Sequence, residues 1–440
     1  MREISAYDRM AWPVSLLEEF LREGKHARDL AAYFGADEYQ RLLRLMASLP
    51  RADGGAGGTT PPGAARVATG AAPRTRVYLL PGMLGSQLGT WRGSGQPPDL
   101  LWIDPADVVG GFLSDLRLPE GADIHSLGII AYSYLSLKLE LNCAGFDVRL
   151  WDYDWRRDIV QLGAALAQDL ARDPAPDIRI VAHSMGGLLA RAALHGAGDR
   201  VSQLITLGTP HHGSFSALQA LRGSYSVVRR LAALDGRFGA EVLAANVFGS
   251  FPSLYQMLPD TLLADTLELG TPAAWPRTGP QPDAHLLELR AALPAALAPL
   301  DGRVHCVVGM HQPTIVAAAA RAGEFRYTVT LQGDGTVPVH SAAVTPDCHY
   351  VVCEHGDLPR DAGVAQCCVE LLQDRRSSAL SPVLTQADTA PDAVPSLEIG
   401  DDELALSYPE RVDWQSLSAE ARGSYFNQLN LAPAQYQRLR

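Results

Sequence analysis

A short turn at residues 182–186, with the sequence Ala-His-Ser-Met-Gly, constrains the fold more than any other part of the chain. A β-rich run at 178–181, with the sequence Ile-Arg-Ile-Val, precedes the turn, and an apolar, helix-forming stretch follows it. A serine at such a strand-to-helix turn, here Ser184, takes a strained backbone conformation, so the residues two positions away on either side must be small. Ala182 and Gly186 meet this requirement. We therefore predict that the turn raises the Ser184 hydroxyl above the end of a strand, as a nucleophile requires.

The segment from residue 76 to 375 has the pattern of an α/β fold, with a mostly parallel central sheet flanked by helices. With 47% hydrophobic and 20% charged residues, the chain has enough apolar material for one extensive core. Short β-rich runs alternate in this segment with amphipathic stretches, which is typical of stacked βαβ units. The predicted strands are 76–80, 147–151, 178–182, 203–207, 303–308, 327–331 and 350–353, and the predicted helices include 159–170, 185–195 and 362–373.

The two ends of the chain differ from this segment. Helical periodicity over residues 14–48 predicts two helices, which form an N-terminal helical extension at 1–50. Residues 51–75 are rich in glycine and proline and lack an apolar period, which predicts a flexible linker. Residues 376–440 are predicted to form a C-terminal tail with a terminal helix.

Charge and cysteine content argue against several classes of function. The chain has 37 basic and 49 acidic side chains, a net charge of −12, which has the wrong sign for a surface that binds phosphates, so we expect no nucleic-acid partner. No apolar run approaches the length of a transmembrane helix, and the first residues do not resemble a secretion signal. The six cysteines lack metal-ligand spacing. We expect reduced thiols, no metal, no cofactor and a cytoplasmic location.

Two backbone amides are candidates for stabilising negative charge beside Ser184. The Met185 amide lies at the start of the helix after the turn, where unpaired N–H groups point toward the reacting atoms. A second donor is expected from the turn after an earlier strand, and Pro81-Gly82-Met83-Leu84-Gly85-Ser86 follows the predicted strand 76–80. Because Gly82 allows a sharp bend, Met83 is the first candidate donor and Gly82 the second. A plain Pro-Gly turn explains the same residues without chemistry.

The serine hydroxyl needs a histidine that takes its proton and a carboxylate that orients the histidine. In chains with this kind of turn the order is serine, acid, histidine, so both partners are sought after Ser184. Asp334 directly follows a predicted strand and is flanked by glycines that free its loop. Asp301 precedes its strand and Asp347 lies in a proline-containing loop, so both are weaker candidates.

The candidate general base is His355. It follows the last apolar run of the segment and precedes its final helix. His340 and His349 compete with it: His340 is close in sequence to Asp334, and His349 enters a strand whose interior would point it into packing.

Together these segments resemble the lecithin:cholesterol acyltransferase family of α/β-hydrolases, which includes phospholipid:diacylglycerol acyltransferases and bacterial lipases or esterases. Six blocks carry the resemblance, all in family order: Leu80-Pro81-Gly82-Met83-Leu84-Gly85-Ser86, Trp151-Asp152-Tyr153-Asp154-Trp155-Arg156, Ala182-His183-Ser184-Met185-Gly186-Gly187, Leu207-Gly208-Thr209-Pro210-His211-His212-Gly213-Ser214, Phe251-Pro252-Ser253-Leu254-Tyr255-Gln256-Met257-Leu258-Pro259 and Gly333-Asp334-Gly335-Thr336-Val337-Pro338.

The resemblance implies an α/β-hydrolase fold with a helical lid or cap, here at about residues 213–262. The site residues that we expect are the catalytic Ser184, Asp334 and His355, the oxyanion-hole residues Met83 and Met185, and the substrate-binding residues Gly82, Leu84 and His183. Seven apolar positions of the insertion fit an acyl channel, and they fit an ordinary insertion packed on the sheet equally well: Leu218, Leu221, Val227, Val228, Leu231, Leu234 and Phe238.

The implied chemistry is hydrolysis of carboxylic esters, in particular lipid acyl esters, through an acyl-enzyme intermediate. A lipid substrate leaves room for a transient contact with a lipid interface. An acyltransferase that passes the acyl group to an alcohol uses the same residues. The rival of another class is a catalytically silent protein of this fold that binds a partner through its terminal extensions.

Overall fold

The computed structural model describes residues 12–49, 74–92, 98–264, 267–384, 395–430 and 432–439, so the predicted linker at 51–75 lies outside the described residues except for 74 and 75. The strands are β1 (Arg76–Leu80), β2 (Ser86–Thr90), β3 (Asp99–Trp102), β4 (His125–Ile129), β5 (Asp147–Leu150), β6 (Ile178–His183), β7 (Val201–Leu207), β8 (Val304–Met310), β9 (Thr314–Arg321), β10 (Glu324–Thr330), β11 (Cys348–Val352) and β12 (Leu397–Gly400).

The α-helices are α1 (Val14–Glu23), α2 (Ala27–Phe34), α3 (Ala36–Ser48), α4 (Pro105–Gly110), α5 (Ala131–Cys143), α6 (Ile159–Arg172), α7 (Met185–Ala197), α8 (Phe215–Arg222), α9 (Ser226–Leu234), α10 (Ala240–Asn246), α11 (Pro252–Gln256), α12 (Ala284–Ala296), α13 (Val339–Ala342), α14 (Ala362–Asp374), α15 (Asp401–Ala405) and α16 (Ala419–Asn427). Short 3-10 helices span Phe112–Leu116, Glu120–Asp123, Gly198–Arg200, Phe248–Ser250, Pro272–Ala274, His355–Arg360, Trp414–Ser416 and Ala434–Leu439.

The central sheet has the strand order β11-β8-β7-β6-β1-β5 within the described residues, and every neighbouring pair is parallel. Side chains alternate between its two faces. On β1, Tyr78 and Leu80 belong to the core that includes α6 and α7, whereas Val77 and Leu79 belong to the core that includes α5 and α14. Helices therefore cover both faces of a parallel sheet, which confirms the predicted fold class.

The seven predicted strands are present, with ends displaced by no more than three residues, but one of them lies outside the central sheet. The strand predicted at 327–331 corresponds to β10, which pairs antiparallel with β9 and β12. Strand β9 is rich in alanine, which has a low preference for strands, and the pattern of 314–321 did not predict it. A third sheet, β3-β2-β4, was also not predicted.

The N-terminal segment contains three helices, α1 to α3, where the periodicity predicted two. Gly24 and Gly35 have positive φ angles of 69° and 86°, and each glycine ends one helix before the next begins. The buried faces of the three helices form one cluster with side chains of α5. Helix α5 is therefore sandwiched between the central sheet and the N-terminal helices.

Residues 395–430 and 432–439, here called the C-terminal arm, pack onto the rest of the protein. Strand β12 adds to the edge of β10, and Asp401 at the start of α15 is buried. Its carboxylate accepts hydrogen bonds from Arg222 Nε at 3.2 Å, Ser224 Oγ at 2.9 Å and Tyr327 Oη at 2.7 Å. Asp401 therefore fixes the beginning of the arm to the insertion helices and to β10.

Two histidines are buried in the central sheet. His305 is on β8 and His349 on β11, and both rings are buried. Burial disfavours the charged imidazolium and lowers the pKa of both side chains below the ordinary value of 6.5, although the carboxylate of Asp347 acts in the opposite direction. Both histidines are therefore neutral in the folded protein at neutral pH.

Two further observations concern the whole of the described chain. All six cysteines are free thiols, and five of them are buried. Among the described helices, none combines the length and the apolar character needed to cross a membrane.

Removing the Asp401 carboxylate should destabilise the protein, because it leaves the buried guanidinium of Arg222 without its charged partner. We expect Asp401→Ala to lower the free energy of unfolding by about 3 kcal/mol, measured by urea denaturation. Asp402→Ala, at the adjacent exposed carboxylate, is the matched control and should cost much less. Equal losses in the two variants would contradict the anchoring role of Asp401.

The buried histidines should make stability depend on pH. The unfolded chain takes up protons on these histidines near pH 6.5, whereas the folded protein takes them up only at lower pH. Stability is then complete above about pH 6.5 and falls as the pH decreases below it. Urea denaturation at pH 7.5, 6.5 and 5.5 should show this decrease, and His305→Gln should show a smaller one. An equally steep decrease in His305→Gln would contradict the assignment.

Candidate active site

Ser184 occupies the strained turn between β6 and α7. Its φ and ψ angles are 54° and −127°, in a region that non-glycine residues rarely adopt. The turn is held by hydrogen bonds from Ser184 N to Leu207 O at 2.8 Å and from Thr209 Oγ1 to Ser184 O at 2.9 Å. A Cβ atom on Gly186 would lie 2.4 Å from the carbonyl oxygen of Pro81, so only glycine fits there. The small residue predicted at this position is thus required by the loop that crosses above it.

The β9–β10 hairpin explains how Asp334 reaches the same end of the sheet. The chain leaves the carboxyl end of β8, forms the hairpin and returns to the same end of β8. There Asp334 forms an isolated β-bridge with Gln312. A Cβ atom on Gly309 of β8 would lie 2.6 Å from the Asp334 Cβ. Asp334 Oδ1 accepts hydrogen bonds from the amides of Thr336 at 3.0 Å and Val337 at 2.7 Å. These bonds fix the carboxylate and leave Oδ2 for another partner.

His355 follows the end of β11 and links the other two residues. Its Nδ1–H donates to Asp334 Oδ2 at 2.7 Å, and its Nε2 accepts from Ser184 Oγ at 2.8 Å. The His355 amide also donates to the carbonyl oxygen of Asp334 at 2.8 Å. The structure therefore brings Ser184, Asp334 and His355 together in one hydrogen-bonded array. His349 lies instead inside β11, in the buried position described above.

The loop between β1 and β2, residues 81–85, lies directly over the Ser184 turn. A Cβ atom on Gly82 would lie 2.8 Å from the Cβ of Ser184, which shows how closely the backbone approaches. In the described part of the chain, the amides of Met83 and Met185 donate to no protein acceptor. The Gly82 amide, the second candidate, donates to Tyr134 Oη at 2.9 Å. Met83 and Met185 therefore keep the amides that remain available to a ligand.

Tyr134 of α5 connects this loop to the histidine array through His183. The carbonyl oxygen of His355 accepts from His183 Nε2 at 3.0 Å, so His183 Nδ1 carries a lone pair. Tyr134 Oη then donates to Nδ1 at 2.9 Å while it accepts from the Gly82 amide. Burial and the neighbouring His355 lower the pKa of His183 well below its ordinary value, which keeps the ring neutral. One arrangement of protons therefore satisfies the whole chain from Gly82 to His355.

Three more aromatic side chains donate hydrogen bonds to carbonyl oxygens of the β1–β2 loop and of the first residue of β2. Tyr153 Oη donates to Pro81 O at 2.7 Å, Trp155 Nε1 to Ser86 O at 3.1 Å and Trp102 Nε1 to Leu84 O at 3.0 Å. Tyr153 and Trp155 belong to the block 151–156 that carried the family resemblance. The sequence pattern marked that block but did not reveal its role, which is to position the loop over Ser184.

Asp154 and Arg156 of the same block form an ion pair with a structural role. Arg156 is fully buried, and its guanidinium pairs with Asp154 at 2.7 Å and donates to the carbonyl oxygens of Leu116, Gly121 and Ile124.

Two histidines of the block 207–214 are also held by protein partners. His211 Nδ1 accepts from Arg191 at 3.2 Å, and His212 pairs with Asp260 at 2.7 Å. In the described ranges, no cluster of three or more histidine, cysteine or carboxylate side chains is arranged to hold a metal ion.

A cavity of about 260 Å³ opens beside Ser184 and His355. Two of the predicted substrate-binding residues, Leu84 and His183, line it together with Met83. The insertion at 213–262 contributes several lining residues, among them Val227 of the seven apolar positions named from the sequence. Leu218 and Leu231, from the same seven, are fully buried in the core. The insertion therefore both packs on the sheet and forms part of the cavity wall.

Comparison with known proteins gives one family match. Residues 156–233 match the family described as the PGAP1-like alpha/beta domain. The matched segment includes helix α6, the Ser184 turn and part of the insertion. No curated protein matches the chain.

Solved structures that resemble the chain are distant from it. A chain of the Tle4–Tli4 complex is 13% identical with a TM-score of 0.44, and the match covers 67% of this chain and 97% of that chain. The mature form of the lipase BlEst2 from Bacillus licheniformis is 16% identical with a TM-score of 0.34, covering 66% and 89%. The lin2722 product of Listeria innocua is 13% identical with a TM-score of 0.28, covering 70% and 96%. Similarity at this level gives no information on activity.

The assignment of the chain therefore depends on its own geometry and on the family match. A parallel sheet covered by helices on both faces carries a strained serine turn at the carboxyl end of an inner strand. The chain has an α/β-hydrolase fold and includes a segment similar to the PGAP1-like alpha/beta domain.

Proposed function

We propose that the protein is a serine hydrolase that cleaves carboxylic esters through an acyl-enzyme intermediate. The observation that carries this proposal is the array in which Asp334 Oδ2, the His355 ring and Ser184 Oγ are joined by hydrogen bonds of 2.7 and 2.8 Å. Separations of this size are within the range in which a base takes a proton from a nucleophile. The array borders the cavity, where an ester can reach Ser184.

In the acylation step, His355 Nε2 takes the proton of Ser184 as Oγ attacks the ester carbonyl carbon. Asp334 holds the ring in the tautomer with Nδ1 protonated and stabilises the imidazolium that forms. The imidazolium then gives its proton to the departing alcohol, and the acyl group stays on Oγ. Water, deprotonated by His355, attacks the acyl-enzyme, and the acid leaves as Ser184 regains its proton.

Negative charge develops on the carbonyl oxygen in both steps, and the amides of Met83 and Met185 are the proposed donors to it. Met185 is the first residue of α7, so its N–H has no partner inside the helix and adds the favourable helix dipole. Loss of one such donor costs on the order of 3 kcal/mol in comparable sites. The hydrogen bonds that fix the β1–β2 loop are therefore part of the proposed machinery.

The proposed substrates are acyl esters of lipid type, as in the lecithin:cholesterol acyltransferase family that the six sequence blocks resemble. Apolar side chains such as Leu254, Met257 and Phe248 line the cavity together with Leu84 and Val227, which suits an acyl chain. An alcohol that replaces water in the second step would make the protein an acyltransferase. Product analysis with and without added alcohol distinguishes the two activities.

Ser184→Ala should abolish ester hydrolysis, because no other group in the array can carry the acyl chain. We expect kcat/KM for p-nitrophenyl esters to fall at least about 10⁴-fold, with an unchanged circular dichroism spectrum. Ser133→Ala, at a serine of α5 that lines the same cavity, is the matched control and should retain activity. Full activity in Ser184→Ala, or failure of a fluorophosphonate to label the wild-type protein, would refute the proposal.

Tyr134→Phe should impair turnover without weakening substrate binding, because it removes the hydroxyl that connects the Gly82 amide to His183. We expect kcat to fall roughly tenfold and KM to change less than about twofold. Tyr132→Phe is the matched control, since Tyr132 lines the same cavity but its hydroxyl accepts from Arg360. Equal effects in the two variants, or a rise in KM alone, would contradict a positioning role for Tyr134.

A further inference from the structure

The C-terminal arm forms one wall of the cavity beside Ser184. Its residues Phe426, Asn427, Leu429, Asn430 and Ala432 line the same space as Ser184 and His355, although they are more than seventy positions away along the chain. The wall lies close to the proposed base, because a Cβ atom on Gly356, the residue after His355, would lie 3.6 Å from Asn430 Nδ2. Nothing in the proposed mechanism uses these residues.

The arm is fixed where it borders the cavity. Tyr225 Oη donates to Asn430 Oδ1 at 3.1 Å, and Tyr425 Oη donates to Arg230 O at 3.0 Å. Tyr225 directly precedes helix α9 and Arg230 lies within it, so both contacts connect the arm to this helix. Strand β12 and Asp401 hold the start of the arm in the same way. The arm is therefore a fixed part of the cavity wall.

The side chains that the arm presents are apolar where they are most buried. Phe426 packs edge-on against Trp414 with ring centroids 5.7 Å apart, and Leu429 is 7% exposed. Helix α16, which ends one residue after Phe426, also lies against α2 of the N-terminal helices. The arm is therefore in contact with the N-terminal helices as well as with α9.

The volume of the cavity, which is partly open to solvent, limits how much of an acyl chain it can hold. The cavity of about 260 Å³ is slightly smaller than the range of about 300 to 1,000 Å³ that is typical of small-molecule sites. Resting on the proposed function and narrowing its lipid-type substrates, we propose that the C-terminal arm restricts the site to esters of short and medium acyl chains. Leu429 and Phe426 are the specificity-determining residues, because their side chains occupy the space that a longer chain needs.

Leu429→Ala tests this proposal through the dependence of activity on chain length. With p-nitrophenyl acetate, butyrate, octanoate and dodecanoate, we expect the ratio of kcat/KM for octanoate to that for acetate to rise roughly tenfold over wild type. Leu406→Ala is the matched control, since Leu406 belongs to the same arm, is 85% exposed and should leave the ratio unchanged. Phe426→Leu, a milder change in the same wall, should raise the ratio less than Leu429→Ala.

A second measurement separates this proposal from the proposed function. Isothermal titration of Ser184→Ala with fatty acids of increasing length reports on the cavity without turnover. We expect affinity to stop increasing at a chain length about three carbons greater when Leu429→Ala is added, because that change removes about three carbon atoms from the wall. A shifted limit, together with a wild-type protein that hydrolyses no ester, would support the role of the arm and refute the hydrolase proposal. Hydrolysis with the same chain-length profile and the same affinity limit in all variants would overturn the role of the arm.

Discussion

The close approach of backbone segments around Ser184 is the constraint on which the rest of the site depends. The β1–β2 loop crosses the serine turn so tightly that Gly82 and Gly186 leave no room for a Cβ atom. On the other side of the turn, a Cβ atom on Gly208 would lie 2.9 Å from Asp334 Oδ2 and 3.1 Å from His355 Nδ1. Packing at this distance fixes the serine hydroxyl, the free amides and the imidazole relative to one another.

Polar contacts from distant elements maintain this approach. Tyr134 comes from α5, and Tyr153 and Trp155 from the segment after β5, yet all three direct a hydroxyl or an indole N–H at the β1–β2 loop or its end. Helix α5 in turn is covered by the N-terminal helices. The N-terminal helices thus support the site through α5, and the C-terminal arm borders its cavity.

The sequence predicted the features that depend on a few consecutive residues. The Ser184 turn was predictable because strand, turn and helix preferences combine within 178–191, and the β-rich runs of the central sheet were predictable for the same reason. Asp334 and His355 were identified from their positions after apolar runs and from the order of the chain. The meeting of Asp334 with Ser184 depends on the return of the β9–β10 hairpin to the end of β8, which no local pattern predicted. His355 reaches the site from the end of β11, beside β8.

Tyr134 and the C-terminal arm show what only the tertiary structure decided. A tyrosine in an apolar helix resembles any core residue, and residues 376–440 were predicted only to form a tail with a terminal helix. Tyr134 acquires its role from contacts with Gly82, 52 positions away, and with His183, 49 positions away. The contact between Tyr225 and Asn430 of the arm spans 205 positions. The sequence determined local backbone geometry and the residue types available for chemistry, because these depend on near neighbours. The tertiary structure determined which distant side chains share the cavity, because that depends on how complete helices and sheets pack.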